Sequence, residues 1–73
     1  MSNPYAAMTS YAAVAAAAAA LTSAAASLWT LYLQQQSSGD SQKASETYDE
    51  YNRCKMELDQ CNRRKSELEN GFW

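Results

Sequence analysis

Small and apolar positions fill residues 11–33 without one charged side chain, whereas from Asp40 onward apolar positions recur at intervals among charged ones. The first stretch, "YAAVAAAAAALTSAAASLWTLYL", contains eleven alanines in 23 residues and neither Gly nor Pro. Ala loses no side-chain freedom in a helix and is the best helix former, so the composition predicts one continuous helix. Asn3 suits an N-cap ahead of it, and Pro4 the first helical position, where a missing N–H costs nothing.

The second stretch is helical for another reason. Ala44, Thr47, Tyr51, Cys54, Leu58, Cys61, Lys65 and Leu68 follow one another at alternating steps of three and four. Such a row is a heptad, with Ala44, Tyr51, Leu58 and Lys65 at a, and Thr47, Cys54, Cys61 and Leu68 at d. The seam it predicts is carried by Tyr51, Cys54, Leu58, Cys61 and Leu68. Opposite charges also recur at i,i+4: Asp49–Arg53, Arg53–Glu57, Asp59–Arg63, Arg63–Glu67 and Lys65–Glu69. Each such pair supports an isolated helix by about 0.2–0.5 kcal/mol. Asn70-Gly71 reads as a stop, with Gly71 left-handed and Phe72 folding back near Leu68.

Between the two lies "QQQSSGDSQ", small and polar, with one Gly. The chain is therefore expected to be all-α in three parts. Residues 1–33 form an Ala-rich helix read as a single transmembrane span, 34–42 a flexible hinge, and 43–73 a charged coiled-coil-like helix ending at Gly71.

A span needs about 20 predominantly apolar residues to cross roughly 30 Å of hydrocarbon. Tyr5 and Tyr11 flank one end of the stretch and Trp29 and Tyr32 the other, the places of interfacial aromatics. Val14, Leu21, Leu28, Leu31 and Leu33 together favour insertion by only about 2 kcal/mol on a per-residue scale, so the span calls for close neighbours. Ala12, Ala16, Ala20 and Ala24, with Ser23 and Ser27, supply the four-residue spacing of small side chains that lets helix backbones approach. A second arrangement fits the same pattern: the two helices, nearly equal in length, folded into a hairpin across the joint.

Charge sharpens the division. Six basic and eight acidic side chains give a net charge of −2, and none precedes Asp40. No sustained basic patch marks a nucleic-acid footprint. Lys43 and Arg53 adjoin the C-terminal end of the span and no Lys or Arg lies before it, which favours a cytoplasmic C-terminus.

Cys54 and Cys61 stand seven residues apart, about 10.5 Å along one helix face. A disulfide needs Cα atoms within about 7 Å, so an intact helix forbids a bridge between them. They are candidates for small buried residues of the seam, or for an interchain disulfide with a second copy. In a parallel dimer Glu50 would face Lys55 of the other copy and Arg64 its Glu69, and an antiparallel dimer would match charges equally well.

The sequence holds no His, no Gly-rich phosphate loop and no cysteine spacing suited to zinc. No catalytic, cofactor-binding or metal-ligating residue is expected, and no small-molecule substrate. The expected partners are a lipid bilayer, further copies of the chain and a larger assembly, a virion or membrane complex among them. The expected role is that of a non-enzymatic anchoring or structural subunit.

An N-terminal span followed by a coiled coil also resembles the inner-membrane spanins of phages. The short chain with a small-residue span is similar to some holins. Both likenesses are of architecture and carry no residue role over. They imply a membrane lysis protein as an alternative, beside a soluble helical-hairpin subunit of a filament or shell.

Overall fold

The computed structural model describes residues 4–5 and 7–71 of the 73. Among them are two α-helices, α1 (Tyr11–Ser37) and α2 (Ser41–Glu69), and no strand. They lie side by side and antiparallel, so that Tyr11 meets Glu69, Val14 meets Cys61, Leu21 meets Cys54 and Tyr32 meets Tyr48. The whole measures 49 × 23 × 14 Å, a single layer of two rods.

Helix α1 begins later than the sequence suggests. Ser10 is the N-cap, its Oγ accepting from the Ala13 N–H at 3.4 Å. Ahead of it the chain turns, with the Met8 N–H donating to the Tyr5 carbonyl at 3.2 Å. The physical reason is tertiary. Tyr5 and Met8 pack against the buried cluster of Val14, Ala18, Cys61 and Leu68, and the Met8 carbonyl accepts from Arg64 Nε at 2.7 Å. A helix continued back to Pro4 would tie that carbonyl into its own ladder and carry both side chains away from α2. Asn3, the expected cap, and Phe72, the expected C-terminal contact, lie outside the described residues.

Within the polar stretch 34–42, residues 34–37 complete α1 and 41–42 open α2, which leaves Ser38, Gly39 and Asp40 as the turn. Gly39 adopts φ +79°, the left-handed conformation that closes many helices. Its N–H donates to the Gln36 carbonyl at 3.1 Å, and that of Asp40 to the Gln35 carbonyl at 3.0 Å. Asp40 then caps α2, its Oδ1 accepting from the Lys43 N–H at 3.2 Å. One residue thus ends the first helix and starts the second, which makes the reversal tight. Gly71, also at φ +79°, stops α2 as expected.

The core is one seam. On α2 the four d positions, Thr47, Cys54, Cys61 and Leu68, are all buried, and so is Ala44. Tyr51, Leu58 and Lys65 are half-buried beside them. On α1 the inward residues are Val14, Ala18, Leu21, Ala25, Leu28, Tyr32 and Gln35. They too follow steps of four and three, so a second heptad row faces the first. Alanine at two of these seven positions, 18 and 25, leaves room for the helices to come close. The Cys61 thiol reaches the Val14 carbonyl at 3.1 Å, and that of Cys54 the Leu21 carbonyl at 3.3 Å.

The i,i+4 ion pairs read from the sequence are replaced by others. The two ion pairs among the described residues are Lys43–Asp40 and Arg64–Glu67, both at i,i+3. Arg64 is turned inward by its bond to Met8 and pairs with Glu67, the residue expected to pair with Arg63. Exposed pairs of this kind contribute little to stability.

Candidate interaction surface

The hairpin has two unlike outer faces. α2 carries every charged side chain of the protein except Asp40 and presents most of them to water. α1 presents an uncharged face, and of its most apolar window, with mean hydropathy 1.6, only 17% is buried by α2. The helix is long and apolar enough to cross a membrane. At about 1.5 Å per residue its 27 residues run roughly 40 Å, more than the hydrocarbon thickness.

Two of its hydroxyls are already satisfied within the helix. Thr22 Oγ1 donates to the Ala18 carbonyl at 2.8 Å and Thr30 Oγ1 to that of Ala26 at 3.1 Å. Back-bonding of this sort removes an unsatisfied donor from an apolar surrounding.

The small residues Ala12, Ala16, Ala20, Ala24, Ser23 and Ser27 all lie on the exposed side of α1, away from the seam with α2. They form no part of the intrachain packing. The seam residues singled out on α2, Tyr51, Cys54, Leu58, Cys61 and Leu68, do come together, against α1 of the same chain.

The aromatics fall into two groups at opposite ends. Tyr11 is exposed and its hydroxyl donates to Glu69 Oε2 at 2.8 Å. Tyr5 is half-buried, and burial, followed by the nearby Glu57 carboxylate, pushes its phenol above the ordinary value. At the turn end Trp29 and Tyr32 do not stand alone. Trp29 lies 5.2 Å from both Tyr32 and Tyr51, and Tyr32 lies 5.2 Å from Tyr48. Lys55 Nζ sits 5.8 Å from the Tyr51 ring centre, over its face. Tilted ring pairs at such spacing contribute about 0.5–1.5 kcal/mol each beyond their area. This four-ring clasp fastens the turn end of the hairpin.

Sequence reasoning missed Tyr48 as a member of the clasp and missed the heptad row of α1. Both left a signal. Trp29–Tyr32 and Tyr48–Tyr51 are i,i+3 pairs on two helices, and Val14, Leu21 and Leu28 stand at seven-residue steps in an alanine background.

Both cysteines are reduced and buried. Burial raises the Cys61 thiol above its ordinary value of 9.0, against a smaller opposing effect of Lys65. A thiol held neutral and hydrogen-bonded to a main-chain carbonyl is a packing group, not a nucleophile. Among the described residues no group of three or more His, Cys, Asp or Glu is placed to hold a metal ion. A groove of about 450 Å³ beside the turn, lined by Tyr32, Gln36, Ser41, Ser45 and Tyr48, carries no charged group. No family model matches the chain, and no curated protein or solved structure is significantly similar to it.

Proposed function

We propose that the protein is a small non-enzymatic anchoring subunit, present in many copies in a membrane-associated assembly such as a virion or multisubunit complex. α1 is its anchor and α2 its docking arm. One observation carries the reading: α1 is uncharged around its whole circumference, and α2 covers a single stripe of it. A helix apolar on all sides belongs in lipid or in protein.

Lipid and α2 cannot cover the same stripe of α1. An Asp, Lys or Arg at the centre of a bilayer costs about 2.5–3.5 kcal/mol, and α2 carries charges along its length. As anchor, α1 spans alone and α2 stands in the aqueous phase, with its C-terminus on the cytoplasmic side by the position of Lys43 and Arg53. Alkaline carbonate extraction of cell membranes tests this. The protein is expected in the membrane pellet, and recovery in the soluble fraction would refute the span.

The closed hairpin favours a second reading, a soluble hairpin subunit of a filament or shell. There the outer row of Ala12, Ala16 and Ala20 packs on neighbouring subunits. Recovery in the soluble fraction as a large particle, sized by sedimentation, supports that reading.

A further inference from the structure

We propose that the seam row of α2 is a homodimer surface that α1 masks in the closed hairpin. Entry of α1 into a bilayer releases that row to pair with the same row of a second copy. The proposal rests on the membrane reading above and adds to it what becomes of α2.

Three observations lead there. First, Ala44, Thr47, Cys54, Leu58, Cys61 and Leu68, the small and aliphatic members of the heptad row of α2, all face α1. Withdrawal of α1 therefore exposes a complete heptad row at once. A row at a/d spacing on a helix charged elsewhere is covered by another such row.

Second, the residues flanking the row are engaged by the N-terminal part of the chain while the hairpin is closed. Arg64 donates to the Met8 carbonyl at 2.7 Å, and Glu69 accepts from the Tyr11 hydroxyl at 2.8 Å. Opening frees both. In a parallel dimer they occupy the g and e positions that face each other, Arg64 against Glu69 of the second copy, with Glu50 against its Lys55. Charge complementarity thus selects a second copy of this chain as the occupant.

Third, the seam is built to part. Two of the seven seam residues on its α1 side are alanine, and two of its polar links are thiol-to-carbonyl contacts, at 3.1 and 3.3 Å, which are among the softer hydrogen bonds. α1 loses little that lipid does not return, since its own Thr hydroxyls remain satisfied within the helix. Two anchors in one leaflet orientation place the freed α2 helices parallel and in register.

The test uses the full chain, in buffer and with phosphatidylcholine vesicles. Flotation reads insertion, and cross-linking by copper-phenanthroline, resolved on non-reducing gels, reads pairing. Wild type and the variants Cys54→Ser and Cys61→Ser, each keeping one thiol, are compared. Little cross-linked dimer is expected in buffer. In floated protein all three chains should give at least ten times more, because parallel register sets Cys54 opposite Cys54 and Cys61 opposite Cys61. Floated protein without dimer overturns the proposal and leaves the anchor standing. Failure to float overturns both. Equal dimer with and without vesicles removes the masking. Dimer in wild type but in neither single-thiol variant means antiparallel pairing and contradicts the shared-membrane geometry.

Discussion

Helix α1 and helix α2 are almost equally long and meet along matching heptad rows, yet they arrive at that seam by opposite routes. α2 is polar with one apolar row, and its fully buried residues all lie on that row. α1 is apolar with no row that stands out, and the seam takes only a fraction of what it could bury. The difference teaches that covering a surface and choosing a surface are separate matters. α2 chooses through contrast between its faces. α1 is chosen, because Val14, Leu21 and Leu28 add bulk at seven-residue steps and alanine lets the partner come near.

If that is correct, neighbouring alanines of α1 should respond very differently to one substitution. Ala18 is buried at the seam and Ala19 is exposed. Ala18→Glu places an unpaired charge in the buried seam, at a cost of about 3–5 kcal/mol, and should open the hairpin in water. Ala19→Glu should leave urea unfolding, followed by circular dichroism, within about 0.5 kcal/mol of wild type, yet prevent association with vesicles. Equal effects in both assays would erase the distinction between the two faces.

On α2 the largest buried side chain near the open end is Leu68. Leu68→Ala should cost about 2–3 kcal/mol by the same denaturation measurement, near the low end for Leu→Ala because at the open end Tyr5 and Met8 can close in. The neighbouring exposed Glu67→Gln removes one ion pair with Arg64, and a change below about 0.5 kcal/mol is expected.

Gly39→Ala sharpens the comparison at the joint. A Cβ there would meet nothing within 4 Å, so the cost is purely that of holding a non-glycine residue at φ +79°. About 1 kcal/mol is expected, with helix content retained. A loss of helix content would mean that the turn, rather than the two rows, holds the helices together.

The smallest effect concerns pH. The Cys61 thiol titrates above 9.0 in the hairpin, so the folded state keeps its proton longer than the open chain does. Any contribution is therefore intact below the ordinary thiol pKa and declines as pH rises through and beyond it. Stability should be level from pH 6 to 8 and fall above about pH 9, and Cys61→Ser should flatten that fall relative to wild type. A decline that is unchanged in the variant would assign it to the tyrosines instead.

How much of this could be read from residues alone follows the same contrast. The d positions of α2 were legible because Thr47, Cys54, Cys61 and Leu68 interrupt charged neighbours at a fixed beat, and all four are buried. The same beat in α1 was hidden, since an alanine at a seam position looks like an alanine outside it. The start of α1 was misread for a tertiary reason. Asn3-Pro4 carries a good local signal, but packing of Tyr5 and Met8 and the bond from Arg64 hold the chain in a turn until Ser10. Two of the i,i+4 ion pairs were likewise local expectations overridden by tertiary contacts, Glu67 pairing with Arg64 and Glu69 accepting from Tyr11. Gly71 was legible because a left-handed residue at a helix end is a requirement of the backbone itself, whereas the nine residues expected as a flexible hinge shrink to a three-residue turn because both helices extend into them.

The central claim is that α1 uses one stripe for two exclusive purposes, α2 in water and lipid in a membrane. It is tested most directly by a distance between the helices, measured by pulsed electron–electron resonance on spin labels at Ala19→Cys and Met56→Cys, with Cys54 and Cys61 replaced by Ser. Both labelled positions are exposed and lie at the same level of the hairpin, as the Leu21–Cys54 and Val14–Cys61 contacts place them. The predicted result is a single short separation in buffer, replaced in floated vesicles by one at least twice as long. A long separation in buffer would contradict the hairpin, and a short one in vesicle-bound protein would contradict the exclusion of α2 by lipid.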